Sequence, residues 1–162
     1  MEFTGHCGFQ NLFYERHIGE HLFGESEILF HFYILLHKNN RKYLNNSLNK
    51  YDLNLIQSMC LLTIHQKDNT TQQDLSEYLF LTKSGVTNAI RNLEKNNYIT
   101  RTQSKKDGRQ YTIKLTQKGE KIIPTLIEIN QKWENTLELN KLDQRFLDDL
   151  TELANKSINL NL

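Results

Sequence analysis

The chain has 162 residues, 38% hydrophobic and 24% charged, which fits one globular domain with an appendage and excludes wholesale disorder. One proline and seven glycines exclude collagen-like and proline-rich architectures, and two cysteines, Cys7 and Cys60, cannot make a disulfide framework. The net charge of +1 singles out no partner. The opening Met1-Glu2-Phe3-Thr4 lacks a basic, apolar leader. The longest apolar run, residues 28–36, is too short to span a bilayer. The expectation is a cytoplasmic protein with reduced cysteines and no membrane partner.

Residues 1–24 are punctuated by Gly5, Gly8, Gly19 and Gly24, with a short helix expected over residues 10–21. Ser26 is the expected cap of a helix running to about Asn45. Its residues 28–36 are apolar all round, which calls for burial on more than one side, as in a bundle or a subunit interface. Asn54 caps a helix carrying Ile56, Met59, Cys60, Leu62 and Ile64, where Cys60 reads as inert core. Thr71-Gln-Gln-Asp74 has capping-box form, with Asp replacing the usual Glu, and opens a short helix through Leu79. Thr82 caps the next, with Val86, Ala89, Ile90 and Leu93 at helical spacing.

The period then changes. Residues 98–103 and 110–115 alternate as strands do, and residues 104–108 form the turn of a two-stranded hairpin. Thr116 caps a long helix with Ile122, Ile123, Leu126, Ile127, Trp133 and Leu137 along one stripe, and Pro124 marks an expected kink. Trp133 and its neighbours are expected to form dimer core. A last helix from about Lys141 carries Leu142, Phe146, Leu150, Leu153 and Ile158.

Two short helices joined by Phe80-Leu81 and followed by a hairpin spell a winged helix-turn-helix. The second helix is polar on one side, with Lys83, Ser84, Thr87, Asn88 and Arg91. In such motifs its N-terminal residues reach base edges in the major groove. Charge agrees. Residues 83–121 carry ten Lys and Arg against three acids, a segment of +7 in a remainder of −6.

Catalysis finds no footing: there is no phosphate loop, nucleophile elbow, HExxH or paired-carboxylate signature, so no enzyme and no cofactor are expected. Five of six histidines (His6, His17, His21, His31, His37) lie in the first 37 residues. On a helix, His17 and His21 would share a face and clamp Zn²⁺, with His6, Cys7 or Glu20 completing the set. Spacing in a glycine-punctuated segment is weak evidence, and no metal is assigned. A sensing role for Cys7 needs an exposed thiolate; His6 helps only when protonated and Glu2 opposes.

Three pieces of sequence, in order, resemble the MarR family of transcriptional regulators. Residues 81–88 (LTKSGVTN) look like its recognition-helix start, and residues 93–99 (LEKNNYI) like the exit into the wing. Asp107-Gly-Arg109, followed by Leu115-Thr-Gln-Lys-Gly119, looks like the wing-tip D-x-R and the L-T-x-x-G that opens the next helix. The resemblance covers about residues 26–160. It implies a mainly α fold with a small β-hairpin wing and an α-helical dimerisation region. Residues 51–116 would be the DNA-binding domain, 25–50 and 117–162 the dimerisation region, and 1–24 an unassigned extension. Thr82, Lys83, Ser84, Gly85, Thr87, Asn88 and Arg91, on a recognition helix of about 82–96, would face the major groove or its phosphates. On a wing of about 98–115, Lys105 and Lys106 would add positive charge, and Arg109 would enter the minor groove oriented by Asp107. The family pattern often has Arg where Gly108 stands, which removes one phosphate contact. The partners implied are a second copy of the chain, pseudo-palindromic double-stranded operator DNA with half-sites about 10 base pairs apart, and a small phenolic or aromatic effector of unknown site. Such a protein is expected to be a ligand-responsive repressor. The alternatives are a winged-helix protein-interaction module without DNA binding, or a zinc- or thiol-responsive variant of the regulator.

Overall fold

The computed structural model describes residues 25–103 and 111–160. The expected helix over residues 10–21 and the candidate ligands His6, Cys7, His17, Glu20 and His21 lie outside them. So does the wing tip, with Lys105, Lys106, Asp107, Gly108 and Arg109.

Helix α1 spans Glu25–Leu48 and passes into a 3-10 turn at Asn49–Tyr51. Ser26, the expected cap, lies inside the helix. The helix outruns the expected end at Asn45 because Leu44 and Leu48, one turn apart, are both buried. Asn54 caps α2 (Leu55–Gln66) reciprocally with Gln57: the Gln57 N–H donates to Asn54 Oδ1 at 3.0 Å, and the Asn54 N–H donates to Gln57 Oε1 at 2.9 Å. The buried side of α2 holds Cys60, Leu61 and Ile64, and also Gln57, Ser58 and Thr63. These polar residues interrupt the expected apolar stripe. Their burial is tolerated because Ser58 and Thr63 donate to carbonyls within the helix and Gln57 serves the cap.

The wing is a three-stranded antiparallel sheet, where two strands were expected. Strand β1 is Thr70–Thr71, β2 is Ile99–Gln103 and β3 is Tyr111–Leu115, in the order β1-β3-β2. Thr70 pairs with Ile113, and Arg101 with Ile113 from the other side. Two residues cannot display an alternation, so β1 exists only because the fold brings Thr70 against β3. Between β1 and the hairpin come α3 (Gln72–Tyr78) and α4 (Lys83–Lys95).

Helix α5 (Gln117–Thr136) continues through Pro124 as one element. The proline leaves the Glu120 carbonyl without its helical donor, but both residues are exposed, so solvent satisfies it. A 3-10 turn at Leu139–Lys141 follows, and α6 (Gln144–Asn159) starts three residues later than expected. Asp143 sets that start by accepting the Arg145 N–H at 2.8 Å, which leaves Leu142 before the cap.

Residues 42–162 form one compact unit. Its core joins Leu48, Leu61, Leu75, Val86, Ile90, Leu93, Ile99, Ile113 and Leu126, all essentially inaccessible. Each buried side chain of this size contributes about 1.5–3 kcal/mol. Trp133, expected in a dimer core, packs within the chain on Tyr43, ring centroids 5.3 Å apart. In the other unit, Leu29, Phe30, Phe32, Tyr33, Ile34, Leu35 and Leu36 of α1 are exposed. The all-round burial expected for residues 28–36 is therefore not supplied to these seven side chains among the described residues. Among the described residues no helix is long and apolar enough to cross a membrane.

Candidate nucleic-acid interface

The site is built by α4, which two caps hold in place. At its start the Gly85 N–H donates to Thr82 Oγ1 at 3.2 Å, as the sequence leads one to expect. A methyl group on Gly85 would sit 3.1 Å from that oxygen, so a larger residue would crowd the cap. At its end Asn97 takes a left-handed conformation (φ 58°) and the Tyr98 N–H closes back on the Leu93 carbonyl at 2.9 Å. Val86, Ala89, Ile90 and Leu93 are buried on one face. Lys83, Ser84, Thr87, Asn88 and Arg91 are all exposed on the other, with Thr82 at its head.

Several hydroxyls on the exposed face already have partners. Thr87 donates to the Lys83 carbonyl at 2.8 Å, and Thr82 and Ser84 share a hydrogen bond at 3.2 Å. The Thr87 and Ser84 oxygens keep a free lone pair, so they stay competent as acceptors. Lys83 opens a helix with no acid in its first turn. A cation there opposes the helix dipole, an effect of about 0.3–1 kcal/mol at an exposed site. The exposed backbone N–H groups and the ammonium together favour an anion at this end.

The helix preceding α4 is fixed by the Thr71–Asp74 capping box. The Thr71 N–H and hydroxyl both donate to Asp74 Oδ2, at 2.9 and 2.8 Å. These bonds, with Lys67 nearby, hold the Asp74 carboxyl below the usual carboxylate range. Burial pushes the Cys60 thiol up to about 12, so it stays protonated and unreactive, in line with its reading as inert core.

Two cations of the basic segment serve the protein itself, which its charge count could not reveal. Arg101 on β2 pairs with Glu94 of α4 and lies over the Tyr111 ring, 5.8 Å from its centroid. Its guanidinium is held charged chiefly by the Glu94 hydrogen bond. Lys118 donates to the Asn96 carbonyl at 2.9 Å and stands 4.1 Å from the centroid of Tyr98. Their partners are seven and 22 residues away, so no local pattern announces them. Another missed pair joins His65 to Glu120 at 3.3 Å.

The motif Leu115-Thr-Gln-Lys-Gly119 also acquires a physical reason. Thr116 caps α5, and its hydroxyl lies 2.7 Å from the Asn97 carbonyl. A methyl group on Gly119 would come within 2.2 Å of the Tyr98 carbonyl oxygen. Only glycine lets the first turn of α5 approach the exit of α4 this closely. Strands β2 and β3, paired out to Gln103 and Tyr111, carry the chain to and from residues 104–110.

A family model described as "MarR family" matches residues 53–111, from just before α2 to the first residue of β3. The HTH-type transcriptional regulator SarZ of Staphylococcus aureus (strain USA300) is 31% identical over 136 residues, which is 84% of this chain and 90% of that protein. A crystal structure of a MarR transcriptional regulator from Methanosarcina mazei Go1 is similar with 25% identity and a TM-score of 0.69, over 83% of this chain and 96% of that one. S. aureus MepR in its DNA-binding conformation is also similar, with 25% identity and a TM-score of 0.69, over 86% of this chain and all of that one.

Proposed function

This chain belongs to the MarR family of transcriptional regulators, and on that premise we propose that it is a homodimeric, ligand-responsive repressor binding a pseudo-palindromic operator. The observation that carries the DNA-binding reading is the division of α4. One face is buried, and the other presents Thr82, Lys83, Ser84, Thr87, Asn88 and Arg91 to solvent. Lys83 and Arg91 supply charge for phosphates, and the short polar side chains reach base edges. Gly85 keeps the helix start unobstructed. The wing, with Lys105, Lys106, Asp107 and Arg109, follows β2 and is assigned to the adjacent minor groove, where a thin ribbon can insert an arginine. The likeness to MepR in a DNA-binding conformation supports the same reading.

The dimer is supported by apolar side chains left uncovered. Phe146, Leu147, Leu150, Leu153 and Ile158 on α6 are exposed, and so are the seven apolar side chains named on α1. On each of these helices, exposed apolar side chains in this number mark an interface. Residues 25–50 and 117–162 are assigned to dimerisation, and 51–116 to DNA. A small aromatic effector would act by favouring a dimer whose two recognition helices no longer match the operator spacing.

The test is a gel shift with DNA from upstream of the protein's own gene, at two salt concentrations and with excess nonspecific competitor. A discrete shift that survives competitor and weakens steeply with salt is expected, because phosphate contacts release counterions. No shift at low salt would overturn the reading in favour of a protein-interaction module.

A further inference from the structure

Helices α3 and α4 end in the same way. After α3, the Phe80 N–H donates to the Glu77 carbonyl at 3.4 Å and the Leu81 N–H to the Ser76 carbonyl at 3.0 Å. After α4, the Asn97 N–H donates to the Glu94 carbonyl at 3.0 Å and the Tyr98 N–H to the Leu93 carbonyl at 2.9 Å. Both are Schellman closures that place one residue in the left-handed region, Phe80 at φ 52° and Asn97 at φ 58°. Asparagine adopts that conformation readily; a phenylalanine pays a steric penalty there. Phe80 is also 78% exposed. Among the described residues, Phe80 lines an open depression with Lys67, Asp74, Glu77 and Tyr78 and gains little burial there.

Its position gives the compensation. Phe80 lies two residues before Thr82, the cap of α4, and three before Lys83. The backbone around it is held firmly: besides the closure, the Ser76 hydroxyl donates to the Leu81 carbonyl at 2.6 Å. An exposed apolar ring on a firmly held backbone therefore stands at the entrance of the helix assigned to the major groove, three residues before a cation suited to a phosphate. The apolar group that B-DNA presents in that groove is the thymine 5-methyl, which aromatic side chains contact. We infer that Phe80 is a specificity-determining residue that packs on a thymine methyl at the edge of each half-site. This inference rests on the DNA-binding reading above.

The test uses the full-length protein, its own operator and Phe80→Asn, which removes the ring while suiting the left-handed backbone. Each operator thymine is replaced in turn by deoxyuridine, which lacks only the methyl. Wild-type affinity is expected to fall about fourfold at one symmetric position per half-site, the effect of one methyl buried. Phe80→Asn is expected to bind the unmodified operator at least fourfold more weakly and to be indifferent to deoxyuridine there, with an unchanged or higher Tm. A variant with wild-type affinity, or a wild-type protein indifferent to deoxyuridine everywhere, overturns the inference and leaves the DNA-binding reading intact. A wild-type protein that binds no DNA overturns both.

Discussion

Helices α4 and α6 are both strongly amphipathic, yet they meet opposite fates in the single chain. In α4 the apolar face is covered: Leu93 and Ile90 are fully buried. In α6 it is bare: Phe146 is 48% and Leu153 48% exposed. An apolar stripe states that a face must be covered and leaves open what covers it. For α4 the cover is α2, α3 and the sheet of the same chain. For α6 we assign it to a second copy.

The largest test of this contrast is in the core. Leu93→Ala is expected to cost about 2–5 kcal/mol of unfolding free energy in urea, as buried leucines do. The same measurement on Leu153→Ala should give a smaller loss that shrinks as the protein is diluted, because its partner is another molecule. A concentration-independent loss would place the cover of α6 within the chain. Phe146→Asp sharpens the point. A buried charge at an interface centre removes about 2 kcal/mol or more, so sedimentation should show monomers whose winged-helix unit is still folded. A persistent dimer would break the assignment of this face.

Smaller effects follow on the α4 side. Arg109→Ala is expected to weaken operator binding by about 1–3 kcal/mol, with unfolding unchanged. Unaltered affinity would mean the wing is not docked on the DNA. Asp74→Asn weakens the cap of α3, by about 1 kcal/mol near neutral pH. Because the folded carboxyl is held low, its contribution is present above the unfolded value of about 3.9. It fades as pH falls through the folded value. Thermal melts of the two proteins should therefore converge on acidification below about pH 4, and curves that stay parallel would show that the carboxylate charge contributes nothing.

Much of this was written locally. Asn54, Thr71, Thr82 and Thr116 each begin a helix because a side-chain oxygen accepts from a backbone N–H three residues on, a relation contained in a few consecutive residues. The exposed face of α4 follows from its period for the same reason. What escaped were relations between distant residues: β1, too short to alternate; Trp133, which found Tyr43 inside the chain; and Arg101 and Lys118, counted in the charge of the basic segment and engaged with Glu94 and with Asn96 and Tyr98.

The sequence by itself thus determined where α2, α3, α4 and α5 start, which face of α4 is polar, and the order of elements that makes a winged helix. Those features depend on hydrogen bonds and periodicities spanning one or two turns. Only the tertiary structure decided that Arg101 and Lys118 serve the fold itself, why Gly119 admits no side chain against the Tyr98 carbonyl, and that Phe80 is held left-handed and exposed two residues before the cap of α4. Each of these depends on how closely separate segments approach. That distance is set by packing across the core, and no local spacing encodes it.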